Sequence, residues 1–367
     1  MQSGGGVGGQ ALDTSPAQAI VDQHKAPGGA ALRANALALA LAMAVLVLGL
    51  ALSAWSALGV AREEHQAALA QVERLAQRVD LELERRLSQP VYGLHGLRGF
   101  FTATPRITMG EFRTYVNSRE LQHEFPGVRG FSFVQRLAPA EVPQLVAQMH
   151  TEGGDAFSVK PGEGAGDLYV IRYIEPLAQN LEAWGMDLGA DPVRREAVER
   201  AMHTGEDTLT GRVNLFQDHQ RRAGFLLLVP IYKPGSDPIT PSQRERALLG
   251  FMSAPVLAGE LFKDLGRVVD NQLGVEVFEG PEPSDAARLY ASMAINAAAR
   301  GPGAEFVNTR LVHFGGRELL LRTWPSESFS RSQAAPWPWA PGVGGGLWSA
   351  LLSLTLWLLM MGCSRAE

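Results

Sequence analysis

The sequence predicts an α+β protein: a long N-terminal helix, then two successive lobes of antiparallel sheet with helices packed at one side, the whole flanked by two apolar helices. Three observations predict it. Two long uncharged stretches lie near the two ends of the 367-residue chain. After the first of them, apolar residues recur at helical spacing and then give way to strand-like runs. The links between those runs are mostly shorter than the dozen residues that a parallel crossover needs.

The first uncharged stretch is Ala36–Val60, long enough to cross a bilayer with some tilt. A cleaved signal sequence has an apolar core of only about 7–15 residues, so an uncleaved anchor over 34–61 is preferred. The second, Val343–Met361, contains Trp348 and Trp357 and follows Trp337 and Trp339, which stand where interfacial aromatics collect. It predicts a second membrane helix over 342–361, in preference to a buried helix of a soluble fold. Lys25 and Arg33 before the first span and Arg365 after the second assign both ends to the cytoplasm. Residues 61–341 then lie outside a plasma (inner) membrane, in a multi-pass arrangement. The lone cysteine, Cys363, falls on the reducing side, and a single cysteine excludes a disulfide scaffold or a cysteine zinc site.

The cytoplasmic parts are small. Residues 1–33 are rich in Gly, Ala and Ser without an apolar period, which predicts a disordered tail. The Gly4–Gly9 run has no strand before it and reads as linker, not as a phosphate loop. Residues 362–367 form a stub, so no output domain is expected in this chain.

Leu69, Val72, Ala76, Val79, Leu83 and Leu87 predict a stalk helix over 62–105, ~67 Å long at the helical rise, with a kink or break at Pro90. So narrow a stripe suits pairing with a partner helix, and a homodimer through the stalk is expected. Thr108 to Glu111 forms a capping box, opening a helix that is expected to end near Phe125-Pro126-Gly127. Strands are expected over 127–137, at LYVIRYIEPL, and in the 208–215, 224–232 and 248–256 regions, with a helix from about Pro139 to Thr151. Asp191-Pro192 starts another helix, as N-cap and first helical residue, and Thr204-Gly205 closes it. A helix over 257–265, strands at GVEVFEG and ARLYASM, and a hairpin at Gly315-Gly316 complete the second lobe.

Charge and motif content narrow the function. With 33 Lys+Arg against 38 Asp+Glu there is no basic excess for nucleic-acid binding. HExxH, GxSxG and phosphate-loop motifs are absent, and the eight histidines show no metal-ligand spacing. His219, beside Asp218, Arg221 and Arg222, is most simply part of a polar turn. Gly315-Gly316-Arg317-Glu318 reads as a hairpin turn, not a cyclase signature. No enzyme, cofactor or metal is expected. Binding fits better: Phe131, Phe133, Tyr169, Tyr173 and Phe225 are aromatics on strands able to line a pocket, with Leu209 beside them and Arg172 and Thr210 as polar groups.

Three blocks, FPGVRGFSFVQRL (125–137), GMDLGADPVRREAVERAMHTGEDTLTG (185–211) and GFLLLVPIYK (224–233), resemble in order the extracytoplasmic CHASE sensor domain of plant cytokinin receptor kinases and bacterial signalling proteins. The resemblance covers about 96–265. It implies two PAS-like lobes, a membrane-distal one over 106–255 holding a small-molecule pocket and a membrane-proximal one over 256–334. It also implies signalling as a dimer into a kinase or a cyclase. The receptors' ligand-holding Asp falls near Pro176 here, which speaks against adenine-type cytokinins. The alternative to a receptor is a membrane adaptor that pairs with another signalling protein through stalk and spans.

Overall fold

The structure, a computed structural model, describes residues 28–104, 106–162, 166–216, 218, 220–293, 304–333 and 340–366. The Gly4–Gly9 run, Lys25, His219, Trp337 and Trp339 lie outside them. Two compact units form: one from the terminal segments, up to Gln66 and from Ala335, the other from Ala67–Ala334.

Helix α1 runs unbroken over Gly28–Ala103, so it begins within the segment 1–33 expected to be a disordered tail, and the candidate first span and the stalk are one element. The break expected at Pro90 does not occur: the helix continues through it. Proline removes one backbone donor, but Leu83, Leu87, Val91, Leu94 and Leu97 on both sides of it are buried in the core. Each such side chain contributes roughly 1.5–3 kcal/mol of burial, enough together to hold a helix across one missing hydrogen bond.

In the first unit, α1 and a C-terminal helix are each long and apolar enough to cross a membrane. They leave Leu48, Leu52, Trp55, Leu347, Trp348 and Leu359 largely exposed, a surface suited to lipid and not to water. The small residues face the partner helix. A Cβ on Gly49 would come within 2.3 Å of Ser349 Oγ, and one on Gly345 within 2.2 Å of Ser53 Oγ. Ser53 Oγ donates to Gly342 O at 3.0 Å, and Ser353 Oγ donates to Ala42 O at 2.7 Å. Close backbones and interhelical hydroxyl bonds are how helices associate in lipid, where no hydrophobic drive separates them from their solvent.

The second unit begins with the rest of α1. Helix α2 (Met109–Asn117) opens on the expected capping box of Thr108 and Glu111 but stops well short of Phe125; a separate turn of helix, α3 (Leu121–Glu124), follows. The next elements are β1 (Phe131–Leu137), α4 (Val142–Thr151), β2 (Leu168–Glu175), α5 (Pro192–Thr204), and the short strands β3 (Thr208–Leu209) and β4 (Val213–Asn214). Then come β5 (Ala223–Tyr232), α6 (Pro241–Ala247), β6 (Leu248–Leu257) and α7 (Ala258–Leu261). Asp191 caps α5 with Pro192 as its first residue, and Gly205 closes it, as the sequence predicts. Helix α6 is not foreseen; its capping box, Thr240 with Gln243, lies in a short polar link.

These strands make an antiparallel sheet in the order β2-β1-β6-β5-β3, with β4 also on β5. A second antiparallel sheet follows, with order β8-β7-β10-β9, from β7 (Leu273–Glu279), β8 (Arg288–Ala291), β9 (Asn308–Phe314) and β10 (Arg317–Pro325). Gly315 and Gly316 turn between β9 and β10 with φ of 56° and 72°, the hairpin expected there. Helices α8 (Glu327–Gln333) and α9 (Ala340–Ala366), the latter the C-terminal apolar helix already met, end the chain.

Closeness of the two apolar helices is directly measurable. In a Cys363→Ser background, Ala42→Cys and Ser353→Cys are expected to crosslink readily in membranes. Adding Gly49→Leu, which cannot fit against Ser349, should reduce the yield severalfold; an unchanged yield would show that the helices do not meet there.

Candidate functional site

Strand alternation gives the first sheet two faces of different character. Phe131 and Phe133 face α1: the Phe133 ring is 4.3 Å from Phe101, Phe131 is 5.2 Å from Phe125, and a Cβ on Gly93 would touch both Phe125 and Phe131. Phe225 packs on Phe262. Leu209 lies opposite Leu227 and donates its backbone N–H to Gly315 O at 2.9 Å. Tyr169 belongs to the other face, 6.1 Å from Phe251. The Thr210 hydroxyl accepts from Leu226 N at 2.9 Å and sits 2.8 Å from Gly211 O. These six predicted contact residues are all buried, their surfaces taken up by neighbours.

The remaining two, Arg172 and Tyr173, share a cleft. Consecutive strand residues ordinarily point apart, but the β1–β2 register slips between Phe133, opposite Tyr173, and Val134, opposite Ile171. Arg172 is therefore a bulge residue, and bulges re-aim side chains. Its guanidinium lies 4.8 Å from the Tyr173 ring centre and donates to Gln135 Oε1 and Glu152 Oε1, each at 3.0 Å. Glu152 Oε2 accepts from Met109 N at 2.8 Å and lies 2.9 Å from the Tyr173 hydroxyl, which is also 3.0 Å from Ile107 O. Burial raises the pKa of this phenol well above its ordinary value, against the opposing pull of Arg172.

Across the sheet, under α5, lies a small cavity lined by Ser132, Ile171, Ile174, Ala183, Leu188, Arg194, Leu215, Phe216, Leu226, Ser253 and Pro255. Its free volume is about 20 Å³, room for roughly one water molecule. The walls are apolar except for Ser132, Ser253 and Arg194. Arg194 is 5% exposed, stacks 4.2 Å from the Phe216 ring, donates to Asn214 O at 2.6 Å and meets Asp191 at 3.3 Å. Its Nε has no acceptor. Burial lowers the guanidinium's pKa from the ordinary value while Asp191 acts in the opposite sense. A buried charge with a donor unspent is costly and is ordinarily retained for a partner. In the link between β4 and β5, Asp218 accepts three hydrogen bonds from Arg222, which hold its carboxyl below the usual range.

None of the eight predicted residues lines this cavity; several of their immediate neighbours do. Ser132 sits between Phe131 and Phe133, and Leu226 follows Phe225. The signal was present: Ser132 and Ser253 are single hydroxyls inside apolar runs, and Arg194 shares the helical spacing of Ala197, Val198 and Ala201, the buried face of α5.

A family model described as the CHASE domain matches residues 105–290, just over half of the chain. The chain belongs to the CHASE domain family. The CHASE match starts nine residues later than the block comparison suggested and runs further, taking in β7 and most of β8. CHASE is an extracellular sensor domain, which gives this chain a sensor role. A search of curated proteins found no match.

Tyr173→Phe should lower stability to denaturant by about 1 kcal/mol, the usual worth of one hydrogen bond. Chemical denaturation of the two forms checks this; equal midpoints would mean that the hydroxyl makes no net contribution.

Proposed function

We propose that this CHASE protein is a plasma-membrane sensor whose central region lies outside the cytoplasm and binds a small molecule in the Arg194 cavity. The observation that carries this is the buried arginine, its Nε–H unspent, in a cavity whose other walls are apolar except for Ser132 and Ser253. The ligand is small and mostly apolar, with one acceptor or anionic group for Arg194. The cavity is nearly filled, so a ligand has to displace the Leu215–Phe216 wall. That difference between filled and empty states is what allows it to shift a conformational equilibrium.

Contacts within the second unit suggest how the shift travels. From α5, Glu196 pairs with Arg317 of β10, and Arg200 donates to Leu209 O at 2.7 Å. Leu209 in turn holds the Gly315 turn, where a Cβ would come within 2.6 Å of Leu209 N. Movement of α5 therefore reaches the second sheet through its β9–β10 hairpin. The α1 stripe that predicted a paired stalk is buried in this unit's own core, so pairing with a second copy would use outward residues instead, of which Leu81 and Tyr92 are 67% and 74% exposed. Delivery of the signal to a separate kinase or cyclase, an adaptor role through the same helices, and the absence of any catalysis are part of this reading.

Two measurements test it. With Cys363→Ser and the exposed Ser242→Cys, a membrane-impermeant maleimide should label intact cells; labelling only after lysis would overturn the topology. In nanodiscs, some member of a small-metabolite panel should raise the melting temperature of the full chain and leave Arg194→Met unmoved. If only a protein partner raises it, the pocket reading fails.

A further inference from the structure

The cleft that holds Arg172 and Tyr173 is separate from the Arg194 cavity and lies on another face of the sheet. Its volume is about 430 Å³, within the roughly 300–1,000 Å³ usual for small-molecule sites. One wall is apolar and partly aromatic, from Phe101, Ile231, Tyr232 and Leu249. The other is polar, and its charges do not cancel. Glu152, the one carboxylate lining it, spends both oxygens on Arg172, Met109 N and the Tyr173 hydroxyl. Arg172 is left with a buried Nε that has no acceptor. Arg106, exposed at the rim, has no ion-pair partner among the described residues.

The site therefore has two features that call for the same kind of occupant: a surplus positive charge with an unfilled donor, and an apolar, partly aromatic wall in the same cleft. Guanidinium groups match carboxylates in geometry and form their strongest hydrogen bonds with them. The bulge at Arg172 brings its guanidinium into the cleft that Tyr173 also lines, because regular alternation would turn either Arg172 or Tyr173 to the opposite face. We infer that this cleft is a second binding site, taking a small aromatic or similarly flat monocarboxylate whose charged end is held by Arg106 and Arg172 and whose body lies against Phe101 and Tyr232. The inference stands independently of the Arg194 cavity.

Calorimetric titration of the full chain in nanodiscs with benzoate tests it, with benzamide as the uncharged counterpart of equal shape. Benzoate should bind one per chain, and benzamide at least about tenfold more weakly, the loss expected when a charge-assisted bond goes. Arg106→Gln, at an exposed position that folding does not use, should weaken benzoate to a similar degree, and Arg194→Met should leave it unchanged. Absence of benzoate binding up to millimolar concentration, equal binding of benzoate and benzamide, or equal binding by Arg106→Gln would each overturn the assignment. Loss of binding in Arg194→Met with retention in Arg106→Gln would move the anion to the other cavity and overturn it as well.

Discussion

One constraint organises the second unit: the apolar stripe of α1, from Val72 to Leu97, has to be buried, and it is too long for one sheet to cover. Its later turns pack on the first sheet, with Phe101 against Phe133 and Gly93 against Phe131. Its earlier turns meet the second sheet, where Glu73 takes Asn308 and Arg310 of β9, and Asp80 takes Arg310 at 3.2 Å. Arg78 and Arg86 donate to the carbonyls of Val268 and Leu261, fixing the link between the sheets on the same helix. The two sheets thus share one core through one helix, and neither can shift against it without exposing apolar surface.

That arrangement explains why the two faces of the first sheet differ. The face on α1 carries the large rings of Phe131 and Phe133, packed on Phe125 and Phe101. The face under α5 is closed by a helix of only thirteen residues and a link with two short strands, and there a buried arginine and a cavity are tolerated.

The same logic bears on signalling. Helix α5 lines the Arg194 cavity at its first turn, reaches Arg317 of the second sheet through Glu196, and donates to Leu209 O of β3 through Arg200. Under the proposed function, a displacement of α5 at the cavity is carried to these contacts. The receiving contact is the Gly315-Gly316 turn, whose positive φ angles let its backbone approach Leu209 closely. A side chain there would hold the hairpin away from the first sheet.

By itself the sequence determined the parts governed by local chemistry and period. The uncharged stretches, the stripe on α1, the capping box at Thr108, the N-cap at Asp191, the Gly315-Gly316 hairpin and most strands were legible because each depends on residues near one another in the chain. The ordered blocks likewise carried the CHASE family. Tertiary structure alone decided that α1 runs through Pro90, since buried neighbours on both sides outweigh one lost hydrogen bond. It also decided which face of each strand is core and which lines a cavity. Aromatics on strands look the same in either role, and with a side-chain period of two, the step from Phe131 to Ser132 exchanges one for the other. The pairing of Arg172 with Tyr173 in one cleft needed a register slip between two strands far apart in sequence, which no local pattern records.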